Sequence, residues 1–136
     1  MQTYISREQD YALRITAYLA GLKKNEQVPI RKISKELYIS KSFTAKIAHK
    51  LKNRGLIGTT QGVQGGIYLA CDSEKLTVFE VLDAVGFSTK FNKCFIHEFK
   101  CELSNSCRFH NFFVQQEQML LNNFRNAFIA DFLLKS

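Results

Sequence analysis

The chain has 136 residues and a mass of 15.7 kDa, which suits one compact domain or a small domain with an appendage. An apolar content of 46% supports a packed core, a single proline with seven glycines excludes collagen-like and disordered compositions, and no apolar run approaches the roughly 18–20 residues that cross a bilayer. The net charge of +7 is confined to the first half: up to Gly66 twelve Lys/Arg stand against four acids, and beyond it seven stand against eight.

That distribution suits a surface facing a polyanion, although solvated basic faces that bind nothing share it. The start MQTYISREQDYALR is polar and charged, without a signal-peptide pattern, so a cytoplasmic protein with no membrane association is expected.

Ser6 and Gln9 form a capping-box pattern, and Tyr11, Ile15, Tyr18, Leu19 and Leu22 recur behind it at helical spacing to about Lys24. A second helix follows Val28-Pro29, with Ile30, Ile33 and Leu37 on its buried side. After a short turn Ser40 is a suitable N-cap for a third helix, which carries Phe43, Ile47 and Leu51 inward and ends at Gly55. The period then changes. Leu56–Thr60 and Ile67–Ala70 read as short strands around the glycine-rich tip Gln61-Gly62-Val63-Gln64-Gly65-Gly66. Thr77 to Val85 reads as a short supporting helix, Gly86 to Asn111 as loop, and Phe112 to Leu134 as one long helix. The order predicts a mainly α fold with a small β-hairpin wing: a winged helix-turn-helix followed by a long C-terminal helix. Phe113, Leu120, Phe124, Phe128 and Phe132 on that helix exceed what so short a chain can hide, so a homodimer packed across a two-fold axis is expected, with folding back on the chain's own domain as the alternative.

The third helix is where DNA contacts are expected. From Lys41 to Arg54 there are five cations and no acid, and Ser42, Ala45, Lys46, His49, Lys52 and Asn53 lie opposite the apolar stripe. Residues near the start of such a helix meet base edges in the major groove while its lysines neutralise phosphates. The expected DNA-contacting set is Lys41, Ser42, Phe43, Thr44, Lys46, His49 and Lys50, joined by Gln61 and Gln64 at the wing tip, on a pseudo-palindromic double-stranded operator read by the dimer.

The four cysteines divide into two kinds. Cys71 ends an apolar strand and reads as a small buried side chain. Cys94, Cys101 and Cys107 form C-x6-C-x5-C, with His110 three positions further on. Three thiolates and an imidazole make a soft site for zinc or an iron–sulfur cluster, and Lys93, Lys100 and Arg108 favour the thiolate forms. Reduced, unligated thiols are the bland alternative.

The segments Asp10-Tyr11-Ala12-Leu13-Arg14, Val28-Pro29-Ile30, Ile39-Ser40-Lys41-Ser42-Phe43, Leu51–Ile57, Gly65–Ala70 and Val81–Val85 together resemble the Rrf-two family of bacterial winged-helix iron–sulfur transcription regulators, of the IscR/NsrR type. The similarity runs over nearly the whole chain. It implies a DNA-binding domain over 1–85, a cluster-binding cysteine loop over 86–111 and a dimerisation helix over 112–136. It also implies a 2Fe–2S or 4Fe–4S cluster on Cys94, Cys101 and Cys107, with a fourth ligand from His110 or from Asp10 of the opposite subunit. Departures from the family are a first cysteine gap one residue longer than usual, a wing without the common Arg-Gly-Pro-Gly-Gly-Gly, and Ala45 where some members read bases with glutamate. The implied function is a DNA-binding regulator, expected to repress, that senses redox state, nitric oxide or iron through its cluster. A clusterless or zinc-stapled regulator answering to a partner protein or small ligand is the alternative. A thiol redox enzyme ranks last, because no CxxC opens a helix.

Overall fold

A computed structural model describes residues 3–88, 100–103 and 106–134. In chain order it contains α1 (Arg7–Ala20), α2 (Ile30–Leu37), α3 (Lys41–Asn53), β1 (Ile57–Thr60), β2 (Gly66–Leu69), α4 (Val78–Ala84) and α5 (Arg108–Arg125), then a 3-10 turn (Ile129–Phe132). This is the winged helix-turn-helix the sequence predicts, with a long C-terminal helix.

Local chemistry sets the element ends. At α1 the Gln9 amide donates to Ser6 Oγ (3.1 Å) and the Ser6 amide donates to Gln9 Oε1 (2.9 Å), a complete capping box. Ser40 Oγ accepts from the Phe43 amide at the start of α3. At its other end Gly55 adopts φ +74°, the Gly55 amide donates to Lys52 O and the Leu56 amide to Leu51 O, the paired bonds of a Schellman motif.

α1 is the hub. Ala12, Ile15, Ala17 and Leu19 are buried among Ile33 of α2, Ile47 and Leu51 of α3, Ile67 of β2, Val81 of α4 and Ile129. The buried Thr16 hydroxyl is satisfied within the helix, donating to Ala12 O and Leu13 O at 3.0 Å.

β1 and β2 pair antiparallel with Ile57 opposite Leu69 and Thr60 opposite Gly66. Val28 adds a third rung: its amide donates to Ile67 O and the Ile67 amide donates back. The approach is so close that a Cβ on Gly66 would stand 2.4 Å from the Val28 backbone. The loop before α2 therefore docks the root of the wing.

The C-terminal region differs from expectation in extent. α5 begins at Arg108, a turn earlier than the sequence suggests, and stops at Arg125. At its end the Asn126 side chain donates to Asn122 O (2.7 Å), and the chain leaves the helix. The Val78 amide then donates to Ala127 O and the Ile129 amide to Leu76 O, both at 2.8 Å, so residues 127–129 lie against the start of α4 and Ile129 enters the core. Tertiary pairing with α4 outweighs the helical periodicity that runs on to Phe132.

Candidate nucleic-acid interface and cysteine site

On α3 the buried arc is Thr44, Ile47, Ala48 and Leu51, rotated by about one residue from the predicted stripe. This corrects one expected DNA contact. Thr44 is fully buried and its hydroxyl donates to Ser40 O (2.8 Å), so it holds the helix start and presents nothing to a duplex. Phe43 is half-buried, edge-on to Tyr11 of α1 with ring centroids 5.5 Å apart. Lys41, Ser42, Lys46 and His49 are exposed along one side of α3, and Gln61 and Gln64 are exposed at the wing tip. Gln27 donates to the Gln64 carbonyl (2.9 Å), which braces that tip from the loop before α2. Val63 beside it is wholly exposed.

The basic character of α3 is less free than its sequence suggests. Lys50 forms an ion pair with Glu8 from the first turn of α1, and Lys46 Nζ lies 3.9 Å from the other oxygen of the same carboxylate. Arg54 is engaged by Asp83 of α4, through its carboxylate (2.9 Å) and its carbonyl (3.3 Å). Lys41 and Lys52 have no ion pair among the described residues. Neither Glu8 nor Asp83 could be placed against α3 from sequence, since their partners lie 42 and 29 residues away.

Asp10 pairs with Arg14 one turn along α1 (2.8 Å), both about half exposed. The Arg14 guanidinium lies over the Tyr11 ring, 5.2 Å from its centroid, and Tyr11 meets Phe43. A run of direct contacts thus joins Asp10 to the first turn of α3.

Of the cysteine set, Cys94 lies outside the described residues. Cys101 and Cys107 are half-buried and not bridged to one another or to Cys71. Cys107 is the N-cap of α5, its side chain making no cap hydrogen bond, and His110 occupies the third helical position. N-cap and third-position side chains lie on the same side of a helix start, the geometry a capping box exploits, so this spacing turns a thiol and an imidazole toward one another's side. No three of the described His, Cys, Asp and Glu residues converge within one chain. Cys71 stands apart: half-buried rather than fully buried, with burial first and then Glu80 and Asp72 pushing its thiol pKa up, which disfavours the metal-binding thiolate.

Within one chain α5 buries none of its residues. Phe113, Leu120 and Phe124 are half-buried; Phe124 meets Phe87, and Phe113 and Leu120 line a groove with Tyr4. The neighbouring stripe of Phe109, Phe112 and Met119 is 73%, 53% and 60% exposed.

Comparison with known proteins agrees with this architecture. The Rrf2 family, described as iron-dependent transcriptional regulators, matches residues 5–135. A protein of Aquifex aeolicus described as an HTH-type transcriptional regulator is 30% identical over 125 residues, covering 90% of this chain and 86% of that one. The HTH-type transcriptional regulator NsrR of Shouchella clausii is 33% identical over 100 residues, 73% of this chain and 67% of its own. Among solved structures, CymR, the global cysteine regulator of B. subtilis, superimposes with a TM-score of 0.79 at 17% identity over 97% of this chain and 96% of that one. IscR of T. potens gives a TM-score of 0.74 at 17% identity over 97% and 85%. Among the described residues no helix is long and apolar enough to cross a membrane. With a helix-turn-helix, a braced wing and a family match over residues 5–135, the chain belongs to the Rrf2 (Rrf-two) family of DNA-binding transcriptional regulators.

Proposed function

We propose that this regulator is a homodimer that senses redox state, nitric oxide or iron through an iron–sulfur cluster and couples the state of that site to how two α3 helices meet a pseudo-palindromic operator. The observation that carries the proposal is the pair of unbridged, half-buried thiols of Cys101 and Cys107, the second of them the N-cap of a helix that buries nothing in its own chain. The donor set fits such a cluster: soft thiolates from Cys94, Cys101 and Cys107, with His110 or the other subunit's Asp10 as a harder, exchangeable fourth ligand. When bound, the cluster supplies a centre that oxidants or nitric oxide can modify. The fold by itself does not select that chemistry, because it is shared with a protein named for cysteine regulation.

The chain's own residues provide the link to DNA. Drawing Asp10 toward a neighbouring loop weakens its hold on Arg14, which frees the guanidinium over Tyr11 and with it the Tyr11–Phe43 contact at the start of α3. Two arrangements of α1 against α3, differing in affinity for the operator, constitute the switch. Lys41, Lys46 and Lys50 neutralise phosphates, Ser42 and His49 face base edges, and Gln61 and Gln64 reach the adjacent groove or backbone.

Cys101→Ser, purified without oxygen, is expected to lose visible absorbance and stoichiometric iron and to change operator affinity by at least tenfold. Unaltered DNA binding in a colourless variant contradicts the coupling. Zinc in place of iron assigns the loop to a structural staple.

A further inference from the structure

Glu8 is the one carboxylate among the described residues that pairs with lysines of α3, and it comes from another helix. Its side chain is 19% exposed, against 40% for Lys50 and 62% for Lys46, so the acid is the sheltered member of the group and the lysines are the members that reach solvent. One carboxylate so placed cannot neutralise both cations. It grips Lys50 at hydrogen-bond distance and holds Lys46 more loosely, at 3.9 Å.

A duplex approaching α3 offers phosphates to the same two ammonium groups. We propose that Glu8 is a specificity-determining residue that lowers the affinity of α3 for DNA of arbitrary sequence by competing with backbone phosphates for Lys46 and Lys50. Non-specific binding is almost wholly electrostatic, whereas operator binding also draws on base contacts from elsewhere on the helix and wing. A fixed negative charge beside the lysines therefore penalises the first more than the second, and widens the ratio between them. The opposite role is the competitor: a Glu8 that simply orients Lys50 toward a phosphate would raise affinity for every sequence.

The proposal rests on α3 being the helix that faces DNA, and the test separates the two. Binding to a short duplex of random sequence is measured by fluorescence anisotropy across a salt series, together with the melting temperature of each variant. Glu8→Gln is expected to bind the random duplex roughly fivefold more tightly at moderate salt, with the log–log salt slope steeper by about 1. On duplexes selected from a randomised pool by the wild-type protein, the gain is smaller, so discrimination falls. The double variant Glu8→Gln/Lys50→Met removes both charges together and is expected to return the slope to the wild-type value. It carries the test if the single variant does not fold, because a phosphate-orienting Glu8 would leave the double variant flatter by about 1. Weaker binding or a shallower slope in Glu8→Gln overturns the proposal. If Lys41→Ala and Lys46→Ala both bind the random duplex like the wild type, α3 does not face DNA and the proposal falls with that assignment. If these weaken and Glu8→Gln weakens too, the role of Glu8 alone is wrong.

Discussion

The winged-helix body and α5 are built on opposite terms. In the body α1, α3 and α4 each start on a side-chain cap, α1 is enclosed by side chains from five other elements, and no buried side-chain polar atom among the described residues lacks a partner. α5 is the longest helix, yet it buries no residue and leaves three large apolar side chains on one stripe in solvent. The body encloses its apolar residues within one chain; α5 leaves an apolar stripe open. A helix whose apolar stripe is left open is the ordinary sign of a partner surface, and a second copy is the partner that symmetry provides most simply.

The largest expected effect breaks α5 alone. Replacing Phe112 with Asp and Met119 with Lys is expected to turn the proposed dimer into a monomer. Each buried apolar side chain is worth about 2 kcal/mol and each substitution counts twice across a two-fold axis, so dimerisation weakens by three orders of magnitude or more. Sedimentation equilibrium reads this directly, and an intact dimer would place the interface elsewhere. The body should stay folded in that variant, with its melting transition retained.

A smaller effect tests where the body ends. Ile129 is 1% exposed and pinned by its amide to Leu76 O, so Ile129→Ala is expected to cost about 2–4 kcal/mol in urea unfolding while leaving the oligomeric state unchanged. A change below 1 kcal/mol, or dissociation, would mean that this segment belongs with α5 instead.

The smallest effect compares two tyrosines. Tyr18 lies in the body, where burial and then a hydrogen bond to Glu36 raise its pKa to about 12; Tyr4 lies at the seam with α5, where burial and then Glu117 raise it less. The folded chain thus keeps the Tyr18 proton to higher pH than the unfolded chain. The stability contributed is whole below about pH 10 and is lost as pH climbs toward 12. Titration followed by phenolate absorbance should show Tyr18 ionising last, and Tyr18→Phe should remove that step. If the last step survives, another residue owns it.

What the sequence made legible was local. The Ser6–Gln9 box, the Ser40 cap, the Gly55 terminus and the change of period at the wing each rest on residues a few positions apart, and all stand where they were expected. Contacts set by tertiary packing were hidden. Phe43 swings out to meet Tyr11, which rotates the buried arc of α3 and carries Thr44 inward; pairing with α4 ends α5 at Arg125 in the midst of a phenylalanine repeat; and Glu8 reaches α3 across 42 residues. The candidate cysteine ligands were legible as a spacing, and Cys107 and His110 share the start of α5. No spacing within the chain could show from which subunit a fourth ligand comes.

The sharpest trial uses the unaltered protein purified under argon: its visible spectrum, its iron and sulfide content, and its operator affinity before and after the iron is chelated away. A brown dimer whose grip on the operator shifts at least tenfold on losing its colour is the predicted outcome. A dimer that is colourless from the outset, or one that bleaches with no change in grip, contradicts the claim that this regulator reads its surroundings through iron.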